Sequence, residues 1–280
     1  MKNAYTIEPR NPYFEIAASI IGHEINPKAK VTFFSEVDLT EIEEIRARYA
    51  AKGLAKPSYT AFVTKALALA LSEYPYANRR VVKSFFSPFV GLRLQKFNAV
   101  DITVAIEREI PDAEMAAFVD VLRNVDTMTF DELGSSLREL GEATPANNKQ
   151  WREFSNIVTR VPSWLAALLV RMPLYLPSMW VKYRGGAAMV SAPGKYGVDT
   201  VFANWWAPIG VSFGVVAMRP VVHAGSISAR PTFNLTLNFD VRVMAGAQAA
   251  HFCRRVLDVL ARAGSELEPW LSVKAAEAVS

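Results

Sequence analysis

The strongest constraint on the fold is a pair of β runs in the last third of the chain, VSFGVVAMRPVV from Val211 and TFNLTLNFDVRV from Thr232. β-Branched and aromatic residues dominate both, which suits a pleated surface and not a helix. The segment HAGSISARP joins them and predicts a hairpin with a long connection. Behind them AGAQAAHFCRRVLDVLARA carries Phe252, Val256, Leu257 and Leu260 at helical spacing, an amphipathic helix with one face to bury. A chain that places strands beside such a helix must cover a sheet face with helices.

The rest of the chain follows the same alternation. Val31–Asp38 (VTFFSEVD) predicts a strand. Thr40 with Glu43 three residues on forms a capping-box pattern, which predicts a helix that ends near Gly53. Ser58 opens a second helix, with Phe62, Ala66 and Leu69 on its apolar face and Pro75 closing it. Phe97–Ile106 predicts another strand, Thr129 another helix, and Thr144–Lys149 (TPANNK) a loop. From Gly186, GAAMVSAPGKYGVD predicts a strand and a glycine-containing loop. The expectation is one α/β (α+β) domain over residues 1–280, interrupted by an apolar insert at about 145–183.

That insert is the least ordinary part of the sequence. Val161–Tyr183 is dense in Trp, Leu and Met, yet Arg171 divides it and Pro162, Pro173 and Pro177 break it. The pieces are shorter than the ~20 residues a membrane span needs. Two short helices are expected. Trp164, Leu165, Leu168, Leu169 and Met172 form one helical stripe that the domain's own core can satisfy. Leu174–Trp180 is apolar on nearly every side, so it is the piece expected to need a second partner: another subunit, an apolar ligand, a lipid or a membrane surface.

Composition removes several functions. The 31 basic and 27 acidic residues are scattered, with pairs only at Arg79–Arg80 and Arg254–Arg255, so no nucleic-acid-binding stripe is present. Cys253 is the single cysteine and forms no internal disulfide. No His/Cys/Asp/Glu cluster has metal-ligand spacing. The N-terminal residues carry no signal-peptide core, and the expected location is cytoplasmic, peripheral to a membrane if the insert docks there.

Several segments together resemble the catalytic domain of the 2-oxoacid dehydrogenase dihydrolipoamide acyltransferases, in the chloramphenicol acetyltransferase-like superfamily. They are VTFFSEVDLTEIEEIRARY, SYTAFVTKALALALSEYPYAN, VDITVAI with VLRNVDTMTFDEL, GVDTVFANWWAPIGVSFGV and NFDVRVMAGAQAAHF. The resemblance implies a mixed sheet flanked by helices and a homotrimer with sites between subunits. It also implies acyl transfer from a coenzyme A thioester to a thiol. In such enzymes a histidine in the signature takes the acceptor's proton, and a serine or threonine hydroxyl stabilises the oxyanion. The base matters because a thiol of pKa ~8.5 is mostly protonated at neutral pH.

Here Val241 stands at the histidine position and Ala245 at the second acidic position, while Asp240, Arg242 and Gly246 remain. Valine has no titratable group. Asp240 and Arg242 are expected to hold the turn by ion pairing, with ligand contact as the other reading. Ser191 is the candidate oxyanion donor. Trp205 and Trp206 would set two large rings near the vestigial site, as ligand contacts or as packing. His223 lies at the far end of the hairpin from Val241. His251 sits on the last helix near Arg254 and Arg255, and His23 has no assigned place.

Three functions follow. The first is a catalytically degenerate acyltransferase-fold protein, a trimeric binding or scaffold protein for an acyl or apolar ligand. The second is a coenzyme A-dependent acyltransferase that works without the histidine. The third is a structural subunit of a larger trimer-based assembly.

Overall fold

The computed structural model describes residues 12, 13, 15, 16, 19, 22, 27–83, 93–108 and 116–272. In chain order the first described elements are β1 (Lys30–Asp38), α1 (Thr40–Ala51), α2 (Tyr59–Glu73), β2 (Arg79–Val82), β3 (Arg93–Lys96), β4 (Ile102–Arg108) and β5 (Ala116–Leu122). Four helices follow: α3 (Phe130–Gly141), α4 (Lys149–Arg160), α5 (Ser163–Tyr175) and α6 (Pro177–Arg184). The chain then gives β6 (Ala188–Ser191), β7 (Ile209–Phe213), β8 (Ala217–His223), β9 (Ser226–Asp240), α7 (Gly246–Ala261) and α8 (Ala263–Glu266).

The large sheet has seven strands in the order β1-β9-β7-β6-β4-β5, with β8 also paired to β9. It is mixed. β9 runs antiparallel to β1 and β7, β6 runs parallel to both β7 and β4, and β5 runs antiparallel to β4. At its centre one face is apolar, and the other carries buried polar residues, Ser212, Thr236 and Asn238. Ile209, Val211 and Phe213 of β7 and Phe233, Leu235, Leu237 and Phe239 of β9 are all buried. Ile42, Ile45 and Tyr49 of α1, Phe62 and Ala66 of α2, and Phe252 and Val256 of α7 belong to the same core.

α2 is buried around most of its circumference, and Lys65 lies in its middle. Its ammonium donates to the carbonyls of Val125, Asp126 and Met128 at 3.1, 2.7 and 2.7 Å. A buried cation is tolerated only with such partners. Here they also pin the turn that leads into α3.

Four expectations change in detail. The connection between the two β runs is short: Ala224 and Gly225, both with positive φ (50° and 79°), turn β8 directly into β9. Such a two-residue turn matches strand twist. Thr40 is not a cap. Leu39 occupies that position, and Asp38 accepts from the Thr40 N–H (2.9 Å) and hydroxyl (2.6 Å), while Glu43 accepts from the Tyr59 hydroxyl. The strand expected from Phe97 begins at Ile102. The chain bends at Asn98 and Ala99, and Asp101, just before the strand, accepts from the Asn124 N–H at 3.0 Å and pairs with Arg123 at 2.6 Å. The TPANNK turn is present, but its Asn148 caps α4, a helix not anticipated, by accepting from the Trp151 N–H at 2.9 Å.

The insert does form two short helices, α5 and α6, bent 106° apart. Their faces reverse the expectation. α5 buries Ala166, Val170, Pro173 and Leu174, so the Trp164–Met172 stripe turns outward, with Trp164 73% and Leu168 54% exposed. The second piece, expected to need a partner, is satisfied internally. Leu174 and Trp180 are buried with Phe97 and Ala187.

Thr129 caps α3 in a complete capping box with Glu132. Thr129→Ala should therefore cost about 1 kcal/mol, read as a lower urea midpoint with an unchanged m value.

Candidate functional site

The signature begins where β9 ends. The Asp240 N–H donates to the Pro208 carbonyl and the Val241 N–H to the Ala29 carbonyl, each at 2.9 Å. These bonds fix position 241 between β1 and the loop before β7. The Asp240 carboxylate is buried and accepts from Arg242 Nε (2.9 Å), the second guanidinium nitrogen (2.6 Å) and the Arg242 N–H (2.9 Å). The pair closes the turn, as expected of two residues that flank one position. Val241, between them, is 43% exposed and brings no polar atom to the surface. Ala245 is the N-cap residue of α7, and Gln248 reaches back to its N–H at 3.1 Å.

Sequence reasoning missed Lys30. It is the register partner of Asp240. Its ammonium donates to the carbonyls of Ala207 (2.5 Å) and Pro208 (3.2 Å). Burial pushes Lys30 from 10.5 down to about 8, partly offset by Asp240. Only strand register brings Lys30 to the signature, and no local motif announces register.

Ser191 ends β6 opposite Ser212. With Val104, Ile106, Leu137, Trp151 and Tyr196 it lines a cavity of about 960 Å³. The two tryptophans part company. Trp205 lies over Gly210, where a Cβ would come 2.1 Å from the indole, and its Nε1–H donates to the Ser212 hydroxyl at 3.1 Å. Trp206 packs edge-on against Trp180 (5.4 Å, 69°), with the Arg184 guanidinium 5.4 Å from its ring.

Ser191 and Val241 do not meet within one chain. Ser191 is level with Ser212 and Thr236, five residues before Val241 and two strands away. At ~3.3 Å per residue and ~4.8 Å per strand, the separation is roughly 19 Å. No described histidine fills the gap. His223 ends β8 at the start of the 15-residue β9, and His251 is exposed on α7. His23 lies outside the described residues. Among the described residues no cluster of His, Cys, Asp and Glu could hold a metal ion.

The family model for the 2-oxoacid dehydrogenases acyltransferase (catalytic domain) matches residues 15–161 and 181–267. The chain belongs to that family. It is 28% identical over 240 residues to the succinyltransferase component of the 2-oxoglutarate dehydrogenase complex of Bos taurus, covering 82% of this chain and 43% of that protein. It is 25% identical to the lipoamide acyltransferase component of the branched-chain α-keto acid dehydrogenase complex of Pseudomonas aeruginosa, covering 83% of this chain and 47% of that one. The chain thus spans less than half the length of these relatives. Among solved structures, the dihydrolipoamide acetyltransferase of Azotobacter vinelandii superposes with a TM-score of 0.67 at 24% identity, over 94% of each chain. The cubic core of a pyruvate dehydrogenase complex gives 0.68 at 24% identity, over 95% of each. The mixed sheet flanked by helices is the architecture of these acyltransferase cores. The residues skipped between the two matched stretches, 162–180, are α5 and the first turn of α6.

Lys30 gives a pH signature. A lysine lowered on folding binds fewer protons in the folded than in the unfolded state between about 8 and 10.5, so its contribution to stability rises with pH across that window. The cost of burying the charge is present below pH 8 and relieved above it. Urea unfolding of the wild type and Lys30→Met from pH 7.5 to 10 is expected to show the difference growing in favour of the wild type. The gain is at most about 3 kcal/mol, less solvent screening. Taking the difference cancels Cys253 and Tyr59, whose raised values oppose the trend.

Proposed function

We propose that this chain is a catalytically degenerate member of the acyltransferase family, a trimeric binding or scaffold protein for an acyl or other apolar ligand. The observation that carries this reading is Val241. A base at that position would have to accept a thiol proton, and an isopropyl group has no lone pair to offer. Nor does Lys30 take over. Its nitrogen is engaged by two carbonyls and faces the loop before β7. Loss of a general base typically costs about 10²–10⁴ in rate.

The ligand half of the reading rests on the cavity beside Ser191, whose walls mix Val, Ile, Leu and Trp with the hydroxyl residues Ser58, Thr60, Thr144, Ser191 and Tyr196 and the Glu107–Lys195 ion pair. An acyl chain, or the acyl end of a coenzyme A thioester, has that polarity. The test is acetyl transfer from acetyl-CoA to dihydrolipoamide. Turnover is expected at background, and a rate near the ~10 s⁻¹ common to enzymes would overturn the reading. Val241→His with Ala245→Asp tests the same point from the other side: a gain in rate places the loss at these two positions.

The trimer rests on two observations. One chain leaves Ser191 and position 241 far apart. In addition, the β8–β9 ribbon projects with Met218, Val222 and Ile227 on one face, 64, 73 and 76% exposed, and nothing in the described chain covers them. Exposed apolar clusters of this kind mark contact surfaces. Light scattering at micromolar concentration is expected to give three times the chain mass, and Val222→Glu with Ile227→Glu a smaller species. A monomeric wild type would remove the basis for a site between subunits.

A further inference from the structure

We infer that the outward face of α5, in a stretch of chain that carries basic groups and no acidic ones, docks on an anionic lipid surface. This goes beyond the binding-protein reading and does not depend on it. Trp164 and Leu168, one helical turn apart, stand in solvent, with Leu165, Leu169 and Met172 half-buried beside them. Leaving such area in water costs about 25 cal/mol per Å². The opposite face is fixed in protein through Ala166, Val170 and Leu174, so the helix lies against the domain and cannot cross a bilayer.

Charge selects the occupant. Between Glu153 and Asp199 the chain carries Arg160, Arg171, Lys182, Arg184 and Lys195 and no Asp or Glu. Arg171 is held by Ser19, and Lys195 pairs with Glu107. Arg160, in the last turn before α5, and Lys182, near the end of α6, are exposed, although Lys182 also lies 3.7 Å from Glu153. An apolar strip containing a tryptophan, with the exposed Arg160 just before it in the chain and no carboxylate among its own residues, fits a negatively charged headgroup layer. A two-fold contact of this face with the same face of a second copy is a poorer fit, because a like-charged strip would meet itself. The family match also skips residues 162–180, so the shared fold is described without this face.

The experiment is flotation of the full chain with phosphatidylcholine vesicles with and without phosphatidylglycerol. The wild type is expected to float with the anionic vesicles only and to be released by salt. Trp164→Ser with Leu168→Ser should weaken binding at least about tenfold, with circular dichroism reporting an intact fold. Should that variant misfold, Arg160→Gln with Lys182→Gln decides instead, with on the order of tenfold weakening. No flotation of the wild type, or flotation unchanged in a folded variant, overturns the inference. So does a change in oligomeric mass by light scattering, which assigns the face to contact between copies. An apolar molecule seen by native mass spectrometry on the wild type and lost from the first variant overturns it too, making the face a ligand site. None of these readouts involves acyl transfer, so failure here leaves the degenerate-enzyme reading intact, and activity there leaves this one intact.

Discussion

β9 is the strand on which the molecule depends. Its C-terminal half hydrogen-bonds to β1 on one side and β7 on the other, and its N-terminal half continues alone with β8. Phe233, Leu235, Leu237 and Phe239 anchor it in the core, and the signature turn hangs from its end. Alternation is strict along a strand, so a slip of one residue would move every core side chain to the other face. The position of residue 241 is thus set by the apolar packing of the strand that precedes it.

The turn separates structural from chemical residues. Asp240 and Arg242 form a bidentate pair that closes the backbone, and Asp240 is nearly inaccessible to water. A charge pair so placed is costly to break from one side, since the partner would be left buried and alone. Val241 and Ala245 carry no such obligation. Both project at the surface, where their replacement costs the fold little. A fold can therefore keep the frame of the signature while its proton-transfer chemistry goes.

How much of this was legible in the sequence depends on range. Ser58 and Thr129 cap the helices they were expected to open, because a cap is decided within four residues. Thr40 failed because Asp38, two residues earlier, competes for the same N–H. The family was readable from several segments in order. Lys30 was not, since it meets Asp240 across 210 positions of chain. The orientation of α5 was not readable either. Its apolar residues surround the helix, so periodicity offers two buried faces, and the choice fell to Ala166 and Val170, small enough to pack closely.

The seating of α5 explains why that choice leaves a tryptophan outside. Arg80, itself buried, donates to the carbonyls of Pro173 (3.3 Å) and Leu174 (3.1 Å) and stacks 4.1 Å over the Trp180 ring. The last carbonyls of a helix have no intrahelical donor and favour a cation. Pro177, starting α6, supplies no N–H of its own to them. Arg80 can reach these carbonyls only if the C-terminal end of α5 faces inward. Leu174 is thereby buried. Trp164 and Leu168, on the other side of the same rigid rod, are turned outward, whether or not anything waits there to cover them.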